Sequence, residues 1–234
     1  MDQQIIIRVA DSGDIHYAPI ITDEMESSAK ARGTGIAKRS PEYVAQKIYE
    51  GKAVIAVTAD GTWVGFCYIE AWGHEKFVAN SGLIVSPDYR KGGVAKQIKK
   101  RIFDLSREKY PDAKIFGLTT GLAVMKINSE LGYEPVTYSE LTDDEDFWKG
   151  CKACVNYDIL MSKGRKNCLC TAMLFDPAEQ VQKVEDKVED TKLNAKIFER
   201  FLNVKQSRLL KLLKKKDFAA KEKSKSLISY FLSL

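Results

Sequence analysis

The first 85 residues alternate between short β-branched runs and stretches of helical periodicity. Gln3–Val9 opens with three consecutive isoleucines and reads as a strand, after which Asp11, Ser12 and Asp14 offer N-cap chemistry for a helix through Ile15–Ala29. A loop with Gly33 and Gly35 follows. Ser40-Pro41-Glu42 then predicts a cap, a proline at the first helical position and an acidic first turn, for a helix that runs to Glu50 and stops at Gly51. Residues 53–59 and 63–72 are rich in β-branched and aromatic residues and are joined by Asp60-Gly61, the sequence of a tight hairpin; 77–85 continues as a further strand.

Beyond Ser86-Pro87 the period changes. Val94, Ile98, Ile102, Phe103 and Leu105 fall at helical spacing across 94–109, residues 115–119 read as a strand, 122–131 as a helix closed by Gly132, and 133–138 as another strand. Strands that open as a meander and then interleave with helices predict an α/β (α+β) domain with a mixed, mostly antiparallel, twisted sheet flanked by helices. The compact domain is expected over 1–176, with a cysteine-bearing insertion at about 142–164 and a strand-like stretch at Cys168–Phe175. From 177 to 234 the chain is rich in Lys and Glu and carries apolar stripes (Val181, Val184, Val188; Leu209, Leu210, Leu213), a C-terminal extension of amphipathic helices.

Composition narrows the class. At 44% hydrophobic and 29% charged residues over 234, the chain is neither disordered nor membrane-embedded, and no stretch approaches the length and apolarity of a spanning helix. Its N-terminus lacks a signal-peptide pattern, so a cytoplasmic, reducing setting is expected for the five cysteines. Residues 179–234 hold 14 Lys and Arg against 8 Asp and Glu; the net +5 therefore belongs to the tail, and the near-neutral body argues against a nucleic-acid partner. Stable membrane insertion is not expected either. The tail's apolar stripes make a homodimer through the C-terminal helices one candidate partnership.

The segment with most chemistry is Leu83-Ile-Val-Ser-Pro-Asp-Tyr-Arg-Lys-Gly-Gly-Val-Ala95, a strand that turns through two glycines into an amphipathic helix. Such a turn aims consecutive backbone N–H groups at one spot and lets a bulky anion approach them. Arg90, Lys91 and Lys96 add positive charge. This segment, together with the element order and Leu131-Gly-Tyr133, resembles the Gcn5-related N-acetyltransferase (GNAT) superfamily over roughly residues 5–175. The resemblance implies that Arg90, Lys91, Gly92, Gly93, Val94 and Ala95 hold the pyrophosphate of acetyl-CoA or another acyl-CoA co-substrate, and that the backbones of Leu83, Ile84 and Val85 pair with its pantetheine arm. The implied reaction is acyl transfer to a primary amine of a small molecule.

A narrower similarity is to the acetyltransferase domain of bacterial N-acetylglutamate synthases, carried by Gly35–Glu42, Leu118-Thr-Thr120, Leu131–Val136 and Arg165–Leu174. It implies that Arg39 and Arg165, with Asn167, grip the side-chain carboxylate of glutamate, and that the product enters arginine biosynthesis. The glutamate that those synthases usually carry before the loop is missing from Val78-Ala-Asn-Ser-Gly82. Asn80 or Ser81 holding a water, or Glu70 acting through one, remain as candidates to take the ammonium proton. Two alternatives stand beside this reading: a catalytically silent CoA-binding module, and an acyltransferase for a polyamine or a protein lysine.

The insertion contains Cys151-Lys-Ala-Cys154, and Cys168-Leu-Cys170 follows it. The pattern C-x2-C-x13-C-x-C suits one structural zinc held by Cys151, Cys154, Cys168 and Cys170, and it equally suits inert or redox-active thiols.

Overall fold

The computed structural model describes residues 4–33, 38–180 and 199. The chain divides into two units, Met1–Gln180 and Val181–Leu234. Apart from Glu199 the second lies outside the described residues, and with it the helices and the homodimer expected of the tail.

Unit one is built on a seven-stranded sheet: β1 (Ile5–Val9), β2 (Ala53–Thr58), β3 (Trp63–Trp72), β4 (Phe77–Val85), β5 (Lys114–Thr119), β6 (Glu134–Val136) and β7 (Thr171–Phe175), in spatial order β1-β2-β3-β4-β5-β7-β6. All pairings are antiparallel except β4 with β5. The helices are α1 (Ala18–Arg32), α2 (Pro41–Tyr49), α3 (Val94–Lys109), α4 (Leu122–Glu130), α5 (Glu145–Lys149) and α6 (Tyr157–Ser162). Local chemistry places their starts. The Ser40 hydroxyl accepts from the Tyr43 amide at 3.2 Å, and Asp11 caps a 3-10 turn, Ser12–Tyr17, where a longer α-helix was expected. Arg8 on β1 fixes that turn by gripping the buried Asp14 at 2.6 and 2.8 Å.

Cross-strand partners share a face, so Glu70↔Ala79, Ala79↔Phe116 and Phe116↔Leu174 define one side of the sheet. There α1 and α2 pack Ile21, Met25, Val44 and Ile48 onto Phe66 and Tyr68, while the insertion packs Trp148 and Leu160 onto Phe116 and Leu174. The opposite side is covered by α3, through Ile98, Ile102 and Leu105, and by the segment around α4. No helix among the described residues is long and apolar enough to cross a membrane.

Two positions in this core carry strain or unpaired charge. Phe66 pairs with Ile84 and Tyr68 with Ser81, so Cys67 alone on β3 faces both Gly82 and Leu83 on β4. The extra residue is a bulge, and Gly82 takes it up with φ +65°. A Cβ at Gly82 would run into the Tyr68 ring and stand 2.9 Å from Met25 Cε. The second position is Lys99 on α3, 2% exposed, with no ion pair among the described residues and its ammonium 5.4 Å from the centre of the Tyr133 ring. Burial pulls its pKa down to about 8 and pushes the neighbouring Cys67 thiol up to about 11.

Gly82→Ala should lower unfolding free energy by about 2–4 kcal/mol, the sum of a left-handed alanine and an overpacked contact, in a denaturant titration. Unchanged stability would mean that β4 needs no left-handed residue there. Lys99→Met should act in the opposite direction. The unfolded lysine binds its proton up to about pH 10.4, so the folded form loses it first and the cost of burying the charge is fully present below pH 8. The substitution should therefore stabilise by on the order of 3 kcal/mol at pH 7, with the gain fading to nothing by about pH 10.5. A gain that is independent of pH would place its origin in packing instead.

Candidate active site

The turn after β4 is shaped as the sequence suggests. A 3-10 turn, Pro87–Tyr89, leads into Lys91 (φ +68°) and Gly93 (φ +78°), both left-handed, and α3 begins at Val94. Among the described residues the amides of Gly92, Gly93, Val94 and Ala95 have no hydrogen-bond partner. They lie at the positive end of a 16-residue helix. Nothing stands within 4 Å of where a Gly93 Cβ would be, so the concavity is open to a ligand. Arg90 is not part of it. Its Nε donates to the Val85 carbonyl at 2.9 Å, and its Nη2 to Glu24 Oε1 and Ser28 Oγ at 2.7 Å each, which fastens the loop to α1. The exposed Lys91 remains beside the amides, and Lys96 pairs with Glu130 at 2.7 Å.

Upstream of the loop, β4 pairs with β5 only at Phe77↔Lys114, Val78↔Ile115 and Ala79↔Phe116. Both strands then continue apart, β4 as far as Val85 and β5 as far as Thr119. Leu83, Ile84 and Val85 thus lie on a strand edge that β5 no longer covers. Leu83 packs toward α3 and Ile84 toward α1, which leaves their backbone, not their side chains, facing the gap.

Next to this gap, on the face shared by α2 and the insertion, lies a polar cluster. Glu70 on β3, 7% exposed, accepts the hydroxyl of Tyr43 on Oε1 and is ion-paired with Arg39 Nη2 at 3.3 Å. Arg39 Nε also donates to Tyr68 Oη at 3.0 Å. Arg39 and Lys47 each stand 5.0 Å from the centre of the Tyr43 ring. Burial, reinforced by the Glu70 charge, holds both tyrosines protonated well above their ordinary range. Burial also lowers the pKa of Lys47. The cluster holds two cations and one carboxylate, all partly or fully withdrawn from water. It can receive an anionic group at Arg39 and a cationic one at Glu70. A Cβ on Gly150 would lie 3.9 Å from Arg39 Nη2, so the insertion forms the far wall.

The remaining expected residues fall elsewhere. Asn80 is on the opposite face: its amide nitrogen donates to Ser106 Oγ at 2.7 Å and its oxygen accepts from Tyr133 Oη at 2.9 Å. Both ends are occupied in a buried bridge between β4 and α3, so Asn80 leaves the catalytic set. Ser81, paired with Tyr68, is on the Glu70 side. Arg165 and Asn167 do not open the last strand, because β7 starts only at Thr171; Gly164 and Arg165 both turn left-handed and hold the preceding loop off the sheet. Arg165 pairs with Glu145 at 2.6 Å and Asn167 is exposed, so the two-arginine grip is not formed. Cys151 and Cys154 of the insertion and Cys168 and Cys170 after it line one cavity of about 30 Å³, and no group of three or more His, Cys, Asp or Glu among the described residues stands in metal-ligating geometry.

Sequence reasoning overlooked Tyr43, Tyr68 and Gly82. Tyr43 and Tyr68 carry no motif of their own. A glycine inside a β-branched run is a bulge signal, and it was the available clue to Gly82.

Residues 24–123 match the model of the acetyltransferase (GNAT) family. No curated protein matches the chain in sequence. Among solved structures it is similar to N-acetylglutamate synthase from Neisseria gonorrhoeae complexed with coenzyme A and N-acetyl-glutamate: TM-score 0.53 and 22% identity, over 75% of this chain and 36% of that one. It is also similar to Rv2747 from Mycobacterium tuberculosis, solved with CoA (0.52, 17%, 73% and 98%), and to a GNAT-family acetyltransferase from Staphylococcus aureus MU50 (0.51, 13%, 74% and 99%). The chain thus spans about a third of the Neisseria synthase. The strand order, the parted β4 and β5 and the glycine loop at the head of α3 agree in fold with these structures, and residues 24–123 are similar to the acetyltransferase (GNAT) family.

Proposed function

We propose that the protein transfers an acetyl or similar acyl group from acyl-CoA to the α-amino group of glutamate or a related acidic amino acid. The observation that carries this reading is the Arg39–Glu70–Tyr43–Tyr68 cluster at the mouth of the gap between β4 and β5. An amino acid has the complementary charges, an ammonium for Glu70 and a carboxylate for Arg39. The resemblance to N-acetylglutamate synthases supports glutamate and a place in arginine biosynthesis. All five cysteines are free, which suits a cytoplasmic setting.

The geometry supports a division of labour. The unpaired amides of Gly92–Ala95 fit a diphosphate, and the uncovered edge of β4 fits an extended chain bearing amide groups, the two features that an acyl-CoA presents. Arg39 orients the acceptor through its carboxylate. Glu70, already bonded to the Tyr43 hydroxyl, takes the proton that the ammonium must lose before its nitrogen can attack the thioester. Backbone N–H groups on the uncovered edge of β4 face the carbonyl oxygen on which negative charge develops.

Three measurements check this. Gly93→Glu, whose side chain has room but stands on a left-handed residue at a cost of about 1–2 kcal/mol, should leave the protein folded, as circular dichroism checks, and abolish acetyl-CoA binding in calorimetry because a carboxylate would oppose the diphosphate; retained affinity would remove the loop from the site. Arg39→Ala should raise KM for glutamate about ten- to a hundredfold and change that for glutamine far less, in line with one charge-assisted contact; equal losses would reduce Arg39 to a structural role. Glu70→Gln should lower kcat by about 10²–10⁴-fold and leave acetyl-CoA affinity intact, whereas an unchanged kcat would exclude Glu70 as the base.

A further inference from the structure

We infer that Cys151, Cys154, Cys168 and Cys170 form a structural site for one zinc ion that staples the insertion to the chain entering β7. Cys151 lies in a 3-10 turn, Gly150–Ala153, Cys154 directly follows it, and the loop ahead of β7 carries the second pair. All four are free thiols, partly buried around the same cavity of about 30 Å³, which is otherwise walled by apolar and aromatic groups including Leu118, Tyr138 and Leu160. Two independent segments therefore bring soft sulfur ligands to a single place, in the number and type that tetrahedral zinc takes.

The peptide at Asn156 ties the two pairs together. Its N–H donates to Cys154 Sγ at 3.5 Å, a bond that a bound thiolate keeps, and its carbonyl accepts from Cys168 Sγ at 3.7 Å, a contact that Cys168 gives up when it loses its proton to the metal. An amide aimed at a sulfur is what a metal-bound thiolate needs to offset its charge. The Arg39 guanidinium, close to Gly150, offers a further offset for a site with four thiolates. The sulfurs line the cavity without standing in ligating positions about one point, so binding has to draw them inward by side-chain rotation. Each cysteine that binds exchanges an S–H bond for a Zn–S bond and releases its proton to water, with no change in oxidation state.

The insertion also needs such a staple. Its two helices have only five and six residues, too short to persist by themselves, and Val155, Met161 and Leu169 are exposed. Four short metal bonds would supply the cross-linking that its small contact with the sheet does not.

The test uses the full chain, expressed with zinc in the medium. Elemental analysis should find about one zinc per chain, and cobalt(II) added after chelation should give the near-ultraviolet sulfur-to-cobalt band and the visible bands of a tetrahedral site. Alkylation with iodoacetamide, read by mass spectrometry, should leave all four cysteines unmodified before chelation and modify them after it. Cys154→Ser should lose the metal; if that variant does not fold, the cobalt titration of the wild-type chain decides. Protein with well under one equivalent of zinc and no sulfur-to-cobalt band overturns the site, as does a mass that shows these cysteines joined in disulfides. None of these readouts depends on which amine the enzyme acylates.

Discussion

Between Phe66 and Tyr68 on β3 there is one residue, between Ile84 and Ser81 on β4 there are two, and the sheet absorbs the difference at Gly82. A bulge bends its strand and increases the local twist. Here the bend coincides with the end of pairing between β4 and β5, because the last matched pair, Ala79↔Phe116, lies just before it. The gap between the two strands, the exposed backbone of residues 83–85 and the direction in which β4 delivers the chain to the glycine loop all follow from that one extra residue. Glycine is needed at this point twice over, once for its positive φ and once because Tyr68 and Met25 occupy the place of a Cβ.

The same bulge explains which parts of the site were legible. Many helix and strand limits follow from local signals: 77–85 and 94–109 coincide with β4 and α3 to the residue, whereas α1 and β7 begin three residues later than their composition suggests. The glycine loop was legible because its chemistry is backbone chemistry at consecutive positions. Side-chain roles near the bulge were not. Faces alternate along a strand, and an unrecognised extra residue makes the side on which Asn80 lies relative to Leu83 and Val85 undecidable from the sequence. Arg90 illustrates a different limit: a cation beside an anion-binding turn is equally able to serve the fold, and its true partners, Glu24 and Ser28, are more than sixty residues away.

Withdrawing an arginine and a glutamate from water costs desolvation energy that their mutual attraction repays only in part. The Arg39–Glu70 pair therefore calls for a reason beyond stability. At 3.3 Å its contact is looser than the 2.6 Å grip by which Arg8 on β1 fixes Asp14, and Glu70 divides its charge between Arg39 and the Tyr43 hydroxyl. A partly satisfied pair of this kind can exchange its internal contact for two contacts to a zwitterion without first breaking a strong bond. The fully bidentate arrangement at Arg8 could not do so.

The insertion covers this sheet face over β5 and β7, beside the part that α1 and α2 cover, and its Gly150 end approaches Arg39. One wall beside the Arg39–Glu70 cluster, the proposed acceptor site, is thus built from a segment with short helices. Positioning a carboxylate for reaction tolerates errors of only about half an ångström, so a wall of this kind must be immobilised from elsewhere. Trp148 does part of this, buried against the sheet with its indole N–H donating to the Thr142 carbonyl at 3.0 Å, but it anchors only the α5 end. The α6 end and the loop that leads to β7 meet at the four cysteines. The proposed acceptor site and the place where a metal would add rigidity are consequently two ends of the same segment.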